Sequence, residues 1–130
     1  MSKKPPPPKP TDAELAILRI LWQRGPSTVR QVHDEWSQQR PAGYTTVLKL
    51  MQIMFEKGLV LRDESDRTHI YRPAASEEST QRRLVADLLD RAFSGSAASL
   101  VMQALSSKQV SAEELAQIRA LLDEAERSGS

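Results

Sequence analysis

Apolar residues recur along this chain first at helical spacing, then at strand spacing, then at helical spacing again. Leu15, Leu18, Leu21 and Trp22 form one helical stripe. Thr11-x-x-Glu14 ahead of them has the form of a capping box, in which side chains and backbone satisfy orphan N–H groups reciprocally. Gly25-Pro26 stops that run. Ser27 or Thr28 then caps a second helix carrying Val29, Val32 and Trp36, which ends before Pro41. A third helix is predicted from Tyr44 to Lys57, with Val47, Leu50, Met51 and Met54 inward and Gly58 as a left-handed closing residue. Leu59–Arg62 and Thr68–Arg72 then read as strands, joined by the polar loop Asp63–Arg67, with Pro73 ending the second. Three more helices follow: Glu77–Phe93, Ala97–Leu105, and one behind Ser111-x-x-Glu114 carrying Leu115, Ile118, Leu121 and Leu122.

Three helices and a hairpin are the order of a winged helix, a helix-turn-helix variant whose third helix enters the major groove of DNA. The predicted fold is mostly α with a small β-wing: an N-terminal winged helix-turn-helix followed by a C-terminal helical dimerisation region. The expected boundaries are 1–10 for a flexible Pro/Lys-rich arm, 11–75 for the DNA-binding domain, 76–126 for the dimerisation region and 127–130 for a tail. The arm has two readings, a cationic strand that touches phosphates or a solvated tail.

Opposite the apolar stripe of the third helix lie Thr45, Lys49, Gln52 and Glu56, flanked by Thr46 and Leu48. Gln bonds adenine with two hydrogen bonds, and Thr methyls or Leu pack on the thymine methyl, so A·T pairs are expected in the target. Tyr44, Thr45 and Thr46 stand in the first turn, where N–H and hydroxyl groups hold phosphate. Arg62 and Arg67, with His69 and Arg72 nearby, would let the hairpin straddle the backbone. Any exposed helix or strand also carries such residues as ordinary solvated polar groups.

Charge sharpens this picture. The net charge is +1, but residues 1–72 hold 12 Lys/Arg against 8 Asp/Glu, and residues 73–130 hold 6 against 9. The front of the chain is therefore the part suited to an anionic partner. There is no cysteine, which removes disulfides, thiolate metal sites and cysteine nucleophiles. His33 and His69 stand apart, in no metal-binding spacing, and adjacent acidic pairs on helices do not face one another. No cofactor, no metal and no catalysis are expected. No apolar run approaches the ~20 residues of a membrane span, and Met1–Pro10 lacks the apolar core of a secretory signal. A cytoplasmic location without membrane insertion is the expectation. The competing function is a winged helix that binds only protein, for which apolar or acidic residues on the third helix would be expected instead.

The run Tyr44-Thr45-Thr46-Val47-Leu48-Lys49-Leu50-Met51-Gln52-Ile53-Met54, continued by Glu56-Lys57-Gly58-Leu59-Val60, resembles the recognition helix and first wing strand of the penicillinase-repressor (BlaI/MecI) family. Thr11–Trp22 resembles that family's opening helix, and Phe93-Ser94-Gly95-Ser96 to Leu100-Val101 its linker into the C-terminal helices. The resemblance implies a homodimer whose C-terminal helices interlock, here through Leu84, Leu88, Leu100, Val101, Leu105, Leu115, Ile118 and Leu122. It implies repression from an operator dyad, at β-lactam or cell-envelope stress genes. It also implies a membrane sensor protease that cuts the repressor in its C-terminal helices, between an Asn and a Phe. This chain has Gln103-Ala104 at that point and departs from the pattern. A copper-responsive branch uses C-terminal cysteines, which are absent here. Independently of the resemblance, three short amphipathic helices with little to cover them need a partner surface, and a second copy supplies one.

Overall fold

The computed structural model describes residues 7–107 and 109–129. The first six residues of the expected arm and Ser130 of the expected tail lie outside them. In chain order the elements are α1 (Asp12–Arg24), α2 (Val29–Ser37), α3 (Tyr44–Lys57), β1 (Val60–Asp63), β2 (Ile70–Pro73), α4 (Glu77–Ala92), α5 (Ala97–Ser107) and α6 (Ala112–Ser128). The predicted order therefore holds throughout. The chain divides into two compact units that part inside α4, between Leu84 and Val85.

Local chemistry sets the ends of these helices. Thr11 and Thr28 each close a full capping box, with Glu14 and Gln31 as the reciprocal partners. Ser27 does not cap. Its backbone N–H donates to the Tyr71 carbonyl at 2.9 Å and its carbonyl accepts from Tyr71 N–H at 2.8 Å. The α1–α2 connection thus adds a bridge to the hairpin, whose antiparallel register pairs Leu61 with Arg72 and Arg62 with Tyr71. Gly58 closes α3 at φ +83°, the left-handed conformation that a side chain would strain.

The core of the first unit lies where α1, α2, α3 and the hairpin meet. Ile17, Leu21, Val32, Val47, Met51, Met54 and Tyr71 are sealed in it, with Trp36 at its edge. On α1 the stripe is rotated from the expected one. Ile17 is fully buried, whereas Leu15 and Trp22 are half-buried. The Trp22 indole N–H reaches the Ala75 carbonyl at 3.0 Å, tying α1 to the segment behind the wing.

Glu14 is the unexpected member of this core, 1% exposed. Its Oε1 accepts from Thr11 N–H at 2.9 Å, and its Oε2 accepts from Lys57 Nζ at 2.8 Å. One carboxylate therefore caps α1 and holds the last turn of α3. Burial pushes its pKa up, but the Lys57 ammonium and the Thr11 N–H together outweigh that and hold it below the ordinary 4.5.

The second unit comprises the remainder of α4 with α5 and α6. Phe93–Ser96 breaks the helix, with Ser94 and Gly95 both at positive φ and Gly95 N–H donating to the Leu89 carbonyl at 2.8 Å. Ser111 Oγ accepts from Glu114 N–H and starts α6, which continues to Ser128 because Ala125-Glu126-Arg127 are good helix formers. None of the described residues of α4, α5 and α6 is buried. Val101, Met102, Leu121 and Leu122 stand in solvent, with Leu121 65% exposed.

Glu14→Gln keeps the cap acceptor but removes the charge facing Lys57. Because Lys57 retains access to water, the expected loss is about 1–3 kcal/mol in denaturant unfolding at neutral pH. A carboxylate with a lowered folded pKa stabilises the protein above pH 4.5 and loses that effect as pH falls through the folded value. The variant's stability is accordingly expected to fall less steeply than the parent's below pH 4.5.

Candidate nucleic-acid interface

The candidate interface is built on α3, whose rotation is set from inside. Val47, Met51 and Met54 have no exposure and fall on one side of the helix. At 100° per residue the outward line must then run through Thr45, Lys49, Gln52 and Glu56, and all four are exposed. Thr46 and Tyr44 are exposed in the first turn. Leu48 is half-buried and packs against the edge of the core, so only part of it faces out. Leu50, expected inward, is likewise half-buried. From Thr45 to Gln52 the helix rises about 10 Å, whereas Glu56 stands about 16 Å from Thr45, near the far end.

The N-terminal end of α3 is held by its neighbours. Gly43, its first flanking residue, offers no side-chain cap. His33 Nε2 donates to the Ala42 carbonyl at 2.8 Å, fastening the α2–α3 connection, and its ring meets Tyr44 edge-on at 5.9 Å. That contact fixes the tautomer with the proton on Nε2 and gives His33 a connecting role. Among the described residues no group of three or more His, Cys, Asp or Glu is arranged to hold a metal ion.

The wing carries the two predicted arginines differently. Arg62 on β1 lies 3.9 Å from the Phe55 ring centroid and donates from Nε and Nη2 to Glu64 Oε2 at 3.1 and 2.9 Å. The Tyr71 hydroxyl and Glu64 raise its pKa further above the arginine value. Arg62 is thus folded onto the wing, and a phosphate would have to displace Glu64 to engage it. Arg67, in the loop between the strands, is exposed. At the base of that loop Asp63 Oδ1 accepts from the Ser65 hydroxyl at 2.7 Å and from its N–H at 2.9 Å, which hold the Asp63 carboxyl below its usual pKa.

Between α3 and the wing runs an open cleft of 510 Å³. It brings together Tyr44, Leu48, Gln52, Arg62 and Arg67 from the predicted set, and adds Thr28, which caps α2, Arg30 from α2 and His69 from the wing. Thr45, Thr46 and Lys49 lie outside its lining, on the more exposed side of α3. Arg30 is absent from the predicted set. A cation near the start of a polar helix carries no local signal, and its neighbour in space, Tyr44, is on another helix.

This arrangement, a supported helix beside a hairpin with a mixed cationic and hydrogen-bonding face, has a counterpart among known families. A model of the penicillinase repressor family matches residues 10–124. The chain belongs to the penicillinase repressor family. The transcriptional regulator BlaI of Mycobacterium tuberculosis is 40% identical over 82 residues, covering 62% of this chain and 59% of that protein. The match thus spans about three-fifths of that relative's length. The penicillinase repressor of Bacillus licheniformis is 24% identical over 117 residues, 90% of this chain and 91% of that protein. The methicillin resistance regulatory protein MecI of Staphylococcus aureus is 19% identical over 113 residues, 87% of this chain and 92% of that protein. The fold and family expected from the sequence are therefore both met. Among the described residues no helix is long and apolar enough to cross a membrane.

The two faces of α3 should respond oppositely to truncation. Met51→Ala, which opens a cavity in the core, is expected to cost about 2–5 kcal/mol in denaturant unfolding. Thr45→Ala on the outward face is expected to change stability by no more than about 0.5 kcal/mol. Equal effects from the two substitutions would show that α3 is turned to bury a different face.

Proposed function

We propose that this chain is a sequence-specific DNA-binding transcriptional repressor that acts as a homodimer on an operator dyad. The observation that carries the reading is the division of α3 between a sealed apolar face and an outward line of Thr45, Lys49 and Gln52, beside a hairpin wing. Residues 11–75 form the DNA-binding part. In this reading Gln52 takes adenine, Thr45 and Leu48 offer methyl groups to thymine, and Lys49 supplies a cation to a base edge or phosphate. Tyr44, Thr46 and Arg67 contact the backbone and set the register of α3 in the groove, and Arg62 joins them where a phosphate displaces Glu64. Glu56, farther along the helix, lies beyond the bases that the first turns reach.

Residues 76–126 form the dimerisation part. Support comes from α4, α5 and α6, which bury nothing themselves while presenting Leu88, Val101, Leu105 and Leu122 to solvent. Leu84, Leu100, Leu115 and Ile118 are half-buried and complete the same apolar supply. A second copy covers these faces, and its two-fold axis matches two half-sites. The names of the relatives, a transcriptional regulator, a penicillinase repressor and a methicillin resistance regulatory protein, support a regulatory rather than an enzymatic role. Such a regulator acts in the cytoplasm, where its operator is, at β-lactam or envelope-stress genes. Release by a membrane sensor protease is the finer step. Gln103 and Ala104 stand inside α5, so a cut there requires that helix to unwind locally into an extended strand.

Two variants test this reading. Lys49→Glu is expected to weaken binding to a selected duplex by on the order of a hundredfold while leaving thermal unfolding unchanged. Leu122→Asp is expected to shift the chain from dimer to monomer in sedimentation and to weaken operator binding with it. Retention of full affinity by Lys49→Glu would overturn the placement of α3 in the groove.

A further inference from the structure

Among the described residues, two guanidinium groups at the cleft between α3 and the wing have no compensating charge. Arg30 and Arg67 both line it, one from α2 and one from the wing loop. Neither forms an ion pair with an acidic side chain of the described residues. Arg62, which lines the same cleft, is by contrast already bonded to Glu64. The cleft therefore holds uncompensated positive charge on two separate elements, over a floor that includes Leu48 and Gln52 of α3.

Arg30 is also held in place. Its guanidinium carbon lies 5.2 Å from the Tyr44 ring centroid, a cation–π distance. Tyr44 is itself met edge-on by His33, whose Nε2 is fastened to the Ala42 carbonyl. A chain of contacts thus runs from the α2–α3 connection through His33 and Tyr44 to Arg30. It aims a planar cationic fork from α2 into the space beside the first turns of α3. Guanidinium forks match phosphate oxygens in pairs, and a phosphodiester strand offers such oxygens in series.

We propose that this cleft seats one phosphodiester strand of the duplex, with Arg30 and Arg67 as its cationic contacts and Tyr44 as the positioning residue for Arg30. This rests on the DNA-binding reading above and adds a residue and a role to it. Base reading belongs to the outward line of α3, whereas the cleft fixes how deeply and at what angle α3 enters the groove. Phosphate contacts of this kind position the protein and carry no sequence information.

The test is a salt series of fluorescence-anisotropy titrations on two duplexes, one selected by the wild-type chain and one of unrelated sequence. Arg30→Gln and Arg67→Gln are each expected to make the slope of log affinity against log salt shallower by about one. Each is expected to weaken both duplexes by a similar factor. Arg30→Lys keeps the charge and should keep the slope. Tyr44→Phe keeps the ring beside Arg30 and removes only an uncharged backbone contact, so it should weaken both duplexes alike without altering the slope. Tyr44→Leu, by contrast, should bring the slope to the Arg30→Gln value, with no further change in slope in the double variant. A steep wild-type slope left unaltered by Arg30→Gln overturns the proposal and leaves DNA binding intact. Weakening confined to the selected duplex also overturns it, by making Arg30 a base reader. Failure of the wild-type chain to bind either duplex overturns both the proposal and the function on which it rests.

Discussion

The anchorage of α3 is the constraint on which the rest of the interface depends. Burying side chains the size of Val47, Met51 and Met54 contributes about 1.5–3 kcal/mol each, whereas a hydrogen bond on an exposed surface contributes far less. A turn of α3 by one residue would carry these three out of the core and bring polar groups such as Gln52 toward it. Its outward line is therefore a consequence of its inward one. The C-terminal end is held independently, by Glu14 on Lys57 and by the left-handed turn at Gly58. The N-terminal end is held by the connection that His33 fastens. A helix fixed at both ends and along its inner face presents a rigid set of side chains, as recognition of base edges requires.

The wing is tied to the same core, although a two-stranded hairpin alone is marginal. The Ser27–Tyr71 bridge attaches β2 to the connection between α1 and α2. Tyr71 enters the core, and Arg62 lies over Phe55 from α3. The wing and α3 are thereby held at a set separation, which makes the space between them a cleft. Phe55 and Tyr71 build it, and Tyr71 also lines it, whereas Arg30 and Arg67 line it with charge that no acidic side chain of the described residues pairs.

Most of the fold was legible because its signals are local. The capping box at Thr11, a cap at Ser27 or Thr28, breaks at Gly25-Pro26 and Gly58, and the change from helical to strand period mark the elements within a few residues of their observed ends. The outward face of α3 followed from its stripe in the same way. What escaped was set by pairs distant in sequence. Glu14 reads as a cap, and nothing near it signals that its second oxygen meets Lys57. Ile17 reads as a neighbour of the stripe because the direction of the core, set by α2 and α3, decides which side of α1 is sealed. Arg62 and Arg67 look alike in the sequence, and only the placement of Glu64 and Phe55 separates a folded-down arginine from an uncompensated one. Arg30 has no signal apart from its charge.

The two units use opposite solutions to the same problem of apolar surface. The winged unit seals its apolar residues within one chain, whereas α4, α5 and α6 leave theirs at the surface, where two copies of the chain would join them. On this account the front of the chain reads DNA and the rear supplies symmetry. The most direct test is to select bound duplexes from a random pool with the purified chain and repeat the binding as salt is raised. The account predicts an enriched inverted repeat whose half-sites are related by a two-fold axis, with affinity falling steeply with salt. Weak binding that is equal for all sequences would contradict it, and would make the winged unit a module for binding protein.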